Sequence, residues 1–431
     1  ASMAASFLLV AVPLLGAAVG FSMRGNPEAL KGWLLLVAMV SLGTVVWTGA
    51  TAPAATFPLL ALFPLAAFVS LLGQPLHRGN CTVWLLTPLL QGLGMGVLAS
   101  EAPLSLVFFL FLLVPIGLLL FHYRHQAAVD ARWGIGTAGA GVLGIVAAMT
   151  LAPPVASVAF TVACAIALPL VPFHATYVAA LTGLPGNLPA FLAVLLPVMG
   201  FHGLLTVLPQ LANVTAEAVV ILALVGMVFG SLKGFTKSRV ASVAAYGSLA
   251  FFSILWWYLV TTRTASPPTV VYMSAVGLAT SGLLVAWYVL RARYGEIGFR
   301  ALSGLARPMP RFAVLLSLLA LAALGLPPFG VFSGFIGMML APSFTWSAAV
   351  IVIILAWLSA SWYMFDLTQG LLFGRQQTGR RHEDLRNPEL LSLVIVLVLL
   401  IALGVMPSRL FDLGPADPQP TVVSEFPAWK K

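Results

Sequence analysis

The run Leu324-Gly325-Leu326-Pro327-Pro328-Phe329-Gly330 cuts an apolar stretch that extends from 312 to 341. A helix needs about 20 apolar residues to cross the hydrocarbon core of a bilayer, so this stretch is long enough to span one. Adjacent prolines remove two backbone donors and press on the preceding turn, and the helix must kink or break there. Inside lipid the freed backbone groups are costly unless protein or water satisfies them. A second stretch, 154–173, carries Pro169 and Pro172 near its end. Paired interruptions in two parts of a chain point to a repeat-built transport fold with a site near the midplane. The plain alternative is a packing kink, because Pro and Gly are frequent in membrane helices.

The rest of the chain fits the membrane reading. Of the 431 residues, 61% are apolar and only 8% are charged, against about 25% charged in a soluble domain. That composition excludes a soluble enzyme, a nucleic-acid-binding domain and a disordered chain. It predicts an all-α polytopic membrane protein with about 14 transmembrane helices. The predicted spans are 4–23, 32–50, 55–73, 83–100, 104–121, 133–152, 154–173, 185–208, 216–232, 240–261, 269–290, 312–341, 345–373 and 389–406.

Charge tests this layout. With the N-terminus outside, odd-numbered loops are cytoplasmic. They hold Arg24, Lys31, Arg78, Arg124, Arg132, Lys233, Lys237, Arg239, Arg291, Arg293, Arg300, Arg307, Arg311, Arg375, Arg380, Arg381 and Arg386. Arg263, Arg409, Lys430 and Lys431 are the only basic residues left outside. This is the positive-inside bias of a membrane protein, and it predicts both termini on the outer face. Two five-span blocks, 83–208 and 216–373, then place each interrupted span fourth. An odd block length inverts the second block relative to the first. N-terminal helices (1–82), an Arg-rich cytoplasmic segment (374–388) and a last helix with an outer tail (389–431) complete the division. Cys81 and Cys164 fit no metal-ligand spacing.

Several segments carry a family likeness. Pro169-Leu170-Val171-Pro172-Phe173-His174 is similar to the start of a PFHxWLP segment, with Thr176, Tyr177 and Val178 where WLP would stand. Ala245-Tyr246-Gly247-Ser248, after a basic loop, is similar to a KRxxAYSS segment, and Leu324 through Gly334 to an LGxPPxxGFxGKF break. Trp362-Tyr363, Phe373-Gly374 and Gly404-Val405-Met406-Pro407 are similar to the last two helices of the same family. Over residues 100 to 412 the chain resembles the antiporter-like membrane subunits of respiratory complex I. The same module occurs in multisubunit sodium/proton antiporters and membrane-bound hydrogenases. The resemblance implies proton or cation translocation by charged residues along the midplane. At the positions that would carry those charges, this chain has Leu110, Val198, Ala241 and Phe335. None of these side chains titrates or holds water, so the usual pathway is rerouted or lost.

Four polar residues remain as a candidate ion pathway. Asp366 is the only acid well inside a predicted span, and an intramembrane carboxylate is a functional candidate. Its plain reading is a carboxylate paired with an Arg at the cytoplasmic face. His202 lies one helical turn after Val198, and its imidazole titrates near working pH. Its plain reading is a bond to a carbonyl freed by Pro197. Lys237 lies one turn before Ala241; its plain reading is a snorkelling loop cation. His174 either orients water near the cytoplasmic mouth or caps a loop. The helix breaks themselves are Pro169, Pro172, Pro327, Pro328 and Gly330. The Arg-rich segment reads as a surface helix, a docking loop or an ordinary charged loop.

No zinc, phosphate or dinucleotide signature occurs, so no cofactor or metal is expected, and no nucleophile–base spacing suggests catalysis. The expected role is a non-catalytic subunit of a multisubunit complex in a prokaryotic inner membrane, moving protons or cations. Its expected partners are other membrane subunits, a cytoplasmic soluble subunit and lipid, and no nucleic acid. A conduction-deficient scaffold of the same fold is the alternative, in a redox, antiporter or inorganic-carbon uptake complex. A stand-alone secondary transporter is a third reading.

Overall fold

A computed structural model describes residues 3–51, 56–126, 131–376, 379 and 382–405. The predicted outer tail 406–431, with Arg409, Lys430 and Lys431, lies outside the described residues, as do Arg380 and Arg381. Sixteen α-helices follow one another, with no strand among the described residues. They are α1 (Met3–Phe21), α2 (Pro27–Thr51), α3 (Phe57–Leu72), α4 (Cys81–Ala99), α5 (Leu104–His122), α6 (Ala131–Thr150), α7 (Val155–Ala167) and α8 (Ala175–Gly183). Then come α9 (Leu188–Val207), α10 (Asn213–Thr236), α11 (Val240–Thr262), α12 (Pro267–Tyr294), α13 (Pro310–Leu324), α14 (Gly330–Met339), α15 (Ala349–Leu372) and α16 (Asn387–Val405). Eleven helices are long and apolar enough to cross a membrane singly. Counting α7 with α8 and α13 with α14 as interrupted spans, every predicted span has its helix.

Helices α9, α11 and α12 form the centre. They are apolar on all sides and buried nearly throughout, which is the pattern of a helix enclosed by other helices. Helices α1, α5 and α6 turn large apolar side chains such as Leu118, Phe121 and Leu143 outward, as a lipid-facing surface requires. Long-range bonds confirm which helix ends lie together. Lys31 Nζ donates to Gln74 O (2.7 Å), Ser392 Oγ to Val69 O (2.7 Å), and Arg293 meets Glu389. The first, third, eleventh and thirteenth loops therefore share one face.

One predicted boundary is corrected. The span interrupted at Pro169 and Pro172 does not end at 173, because the chain resumes beyond the break as α8. Proline has no N–H, so Pro172 cannot bond the carbonyl of Leu168 four residues back. That carbonyl instead accepts from the indole Nε1 of Trp256 on α11, at 3.0 Å. The second break is closed differently. Gly325 ends α13 with φ +90°, a left-handed turn suited to glycine. Gly404 of α16 then lies so close that a Cβ there would overlap the Pro328 carbonyl oxygen.

The Arg-rich segment is a strap rather than a surface helix: its described residues between Leu372 and Asn387 form no helix. The carboxylate of Asp384 accepts from the backbone N–H of Arg311 (2.9 Å) and of Phe312 (3.2 Å). It caps the first turn of α13 from across the chain. Arg293 donates to the carbonyls of Glu383 and Asp384 and to both carboxylate oxygens of Glu389. The Arg293–Glu389 pair is almost fully buried, with side chains 10% and 9% exposed.

Candidate functional site

The first break brings together residues that the sequence keeps far apart. His174 sits at the N-terminal boundary of α8, and its Nδ1 is buried without a hydrogen-bond partner among the described residues. Its ring packs edge-on against Phe229 of α10 at 5.1 Å, with Tyr246 of α11 at 6.4 Å. Lys233 Nζ lies 5.6 Å from the Phe229 ring centre, and Lys237 Nζ lies 5.4 Å from that of Tyr246. The two aromatic faces thus hold two ammonium groups beside the imidazole, each by a cation–π contact. Partial burial, and then the charge of Lys233, pulls the Lys237 ammonium below the ordinary lysine pKa. Two sequence candidates, His174 and Lys237, therefore share one cluster.

Three residues on, Tyr177 projects from α8 into the helix centre, fully buried. Its hydroxyl lies 2.8 Å from Ser248 Oγ on α11, and Ser248 in turn donates to Ala245 O. Ser248 also lines a small cavity with Thr280 of α12 and Tyr363 of α15, bounded further by Phe251 and by Ala323 next to the second break. The space for water centres is about 10 Å³, room for one water. The Tyr363 hydroxyl approaches Gly247, where an added Cβ would lie 3.0 Å from it. Tyr272 donates to the carbonyl of Phe251 at 2.8 Å. The buried polar groups between the two breaks are thus mostly hydroxyls.

The other two candidates stand apart. His202 is half-buried on α9 and makes no hydrogen bond to a described residue, so the expected contact with a carbonyl freed by Pro197 does not form. Asp366 is not enclosed in the helix bundle. Its side chain is 40% exposed and accepts from Arg300 Nη2 at 2.8 Å. The plain reading, pairing with a neighbouring arginine, describes it.

The four apolar residues at positions where the resemblance implies charge are built into packing: Val198 and Ala241 are buried, Leu110 is partly buried against the core, and the Phe335 ring lies 4.1 Å from that of Trp357. Sequence reasoning missed Tyr177, Ser248, Thr280 and Tyr363 as a group, because they come from four different helices. Tyr177 and Tyr363 had a signal: both are aromatic hydroxyls in apolar surroundings, where a buried Tyr finds a partner.

An all-helical membrane bundle with two broken spans is the architecture of a transport-type membrane protein. Residues 146–362, about half of the chain, match the family described as "NADH:quinone oxidoreductase/Mrp antiporter, TM", and the chain belongs to that family. Subunit M of the NADH-quinone oxidoreductase of Mycobacterium tuberculosis is 29% identical over 289 residues, covering 62% of this chain and 52% of that protein. The chain spans about half the length of the curated relatives it matches. A chain of respiratory complex I from Thermus thermophilus superposes with a TM-score of 0.76 at 19% identity, over 95% of this chain and 98% of the other. A chain of the membrane-bound sulfane sulfur reductase, an archaeal respiratory membrane complex, gives 0.78 at 18% identity, over 95% and 96%. These superpositions establish the shared fold.

Proposed function

We propose that this chain is a non-catalytic membrane subunit of a multisubunit complex and takes part in moving protons or cations across a prokaryotic inner membrane. The partners are other membrane subunits and a cytoplasmic soluble subunit, and both termini lie on the outer face. The observation that carries the reading is the pairing of the two broken spans, each fourth in a block of five, around a fully buried centre. Their correspondence supports two inverted repeats, 83–208 and 216–373. The ion enters from the cytoplasmic side at the His174–Lys233–Lys237 cluster, where a buried, partnerless imidazole nitrogen stands beside two cations. His202 and Asp366 lie off this entrance.

One observation favours a second reading. Val198 and Ala241 fill, with buried apolar side chains, positions where the family carries charge. A scaffold that anchors partner subunits without conducting explains this directly. The test is ion flux in liposomes holding the complex purified through a tag on this chain, driven by a potassium diffusion potential. Replacement of His174 by Ala and of Lys237 by Gln lowers flux if the chain conducts. Unchanged flux in both, with normal assembly, would leave the scaffold reading.

A further inference from the structure

We propose that this chain holds a phosphatidylethanolamine molecule by its headgroup, in a groove between α2, the end of α3 and the start of α16. The lipid phosphate sits on Lys31 and Arg386, and its ammonium on Glu28. The site stands independently of the translocation reading.

The groove lies where these helices end, on the face shared by the first, third and thirteenth loops. Lipid headgroups occupy that level of a membrane protein. Its volume is about 360 Å³, within the range of small-molecule sites. From α2 it is lined by Glu28, Lys31, Gly32 and Leu35, whose spacing puts them on one helix face. Two cations are held before any ligand arrives. Lys31 is half-buried, and one of an ammonium's three N–H donors is spent on Gln74 O at 2.7 Å, which leaves two for a ligand. The backbone N–H of Arg386 donates to Glu389 Oε2 at 3.1 Å, so the buried Arg293–Glu389 pair fixes the base of this side chain. Its guanidinium is exposed, with Glu383 at 3.5 Å. An exposed pair of that length contributes little, so the guanidinium is available to a stronger partner.

Charge decides what fits. Glu389 also lines the groove, but both of its carboxylate oxygens accept from Arg293, which cancels its charge. Glu28 is exposed and makes no ion pair with a described residue. Two cations and one carboxylate therefore remain to be matched. Lys and Arg donors bind phosphate oxygens through charge-assisted hydrogen bonds. The Glu28 carboxylate repels a second anionic group and attracts an ammonium. A lipid phosphodiester carrying a primary amine meets both demands. Leu35 and the exposed Leu76 offer apolar contact to its glycerol and upper acyl chains. At Gly32 an added Cβ would meet nothing within 4 Å, so the wall stands open to the ligand.

The test titrates dioleoyl phosphatidylethanolamine and, separately, dioleoyl phosphatidylglycerol into the complex, purified through a tag on this chain and stripped of lipid. Bound lipid is counted by native mass spectrometry. Gly32→Leu fills the groove from an exposed helical position, where leucine favours the helix more than glycine does, so the lipid lost in that variant reports this site. The wild type is expected to hold one phosphatidylethanolamine more than Gly32→Leu. Lys31→Met is expected to weaken that binding about tenfold, and Glu28→Gln to lower the preference for phosphatidylethanolamine over phosphatidylglycerol about tenfold, each the loss of one charged contact. Equal lipid on the wild type and Gly32→Leu overturns the site. Phosphatidylglycerol held there as tightly as phosphatidylethanolamine overturns the headgroup. A photo-cross-linker on Leu76→Cys in native membranes is expected to label lipid, and labelling of a protein subunit overturns lipid as the occupant.

Discussion

The two broken spans meet the same physical demand by different means. In the first, α7 and α8 are joined by polar repair: the carbonyl left free by Pro172 takes the Trp256 indole, and Tyr177 bonds Ser248. In the second, α13 and α14 are joined by close packing, with Gly404 and Gly330 letting α16 and α12 reach the backbone. The strap 383–389 then fixes the entry into α13. A break held by hydrogen bonds keeps polar groups in the bundle centre. A break held by backbone contact excludes them. The difference teaches that polarity belongs to the first break, while the second contributes shape.

Substitutions can break or sharpen this contrast. The largest effect is expected at the buried pair that anchors the strap. Glu389→Leu leaves Arg293 buried and uncompensated, a loss of about 3–5 kcal/mol. It should abolish recovery of folded chain from membranes, and wild-type recovery with unchanged melting would refute the anchor. Next is Gly404→Val, where a side chain meets the Pro328 carbonyl; overpacking costs about 1–3 kcal/mol. Its melting midpoint in detergent should fall, whereas an Ala at exposed Gly43, with open space around it, should be silent.

Trp256→Phe keeps a ring but orphans the Leu168 carbonyl, costing about 1–3 kcal/mol. Its signature should be faster hydrogen exchange confined to 165–178, and exchange unchanged there would show that the indole bond does not close the first break. Asp384→Ala removes a cap worth about 1 kcal/mol and should loosen only the first turn of α13. The smallest effect is expected for Asp366→Asn. An exposed ion pair contributes roughly 0–1 kcal/mol, so melting should move little, and ion flux in liposomes should stay at the wild-type level. A large drop in flux would return Asp366 to the pathway.

Much of the fold was legible because lipid leaves few choices. A spanning helix must be long and apolar, and positive loops stay inside, so the fourteen spans could be read from composition and charge. The 9-residue α8 escaped notice because it is too short to signal by hydropathy, and two prolines hide its start. The candidate site was only half legible. His174 and Lys237 stood out as polar residues near a break. Asp366 stood out for its depth along the chain, but the direction of its side chain decides its surroundings, and hydropathy does not report direction.

By itself, then, the sequence determined the class, the spans and the two breaks. Each is a local property: an apolar run, a missing N–H, a residue type at a position. Only the tertiary structure decided which polar groups meet at the first break. Tyr177 and Ser248 are 71 residues apart, and Trp256 and Leu168 are 88 apart. Contacts at such separations depend on how helices pack, which no local pattern of hydropathy records. The same packing sets Asp384 on the first turn of α13 and anchors its segment through Arg293 and Glu389.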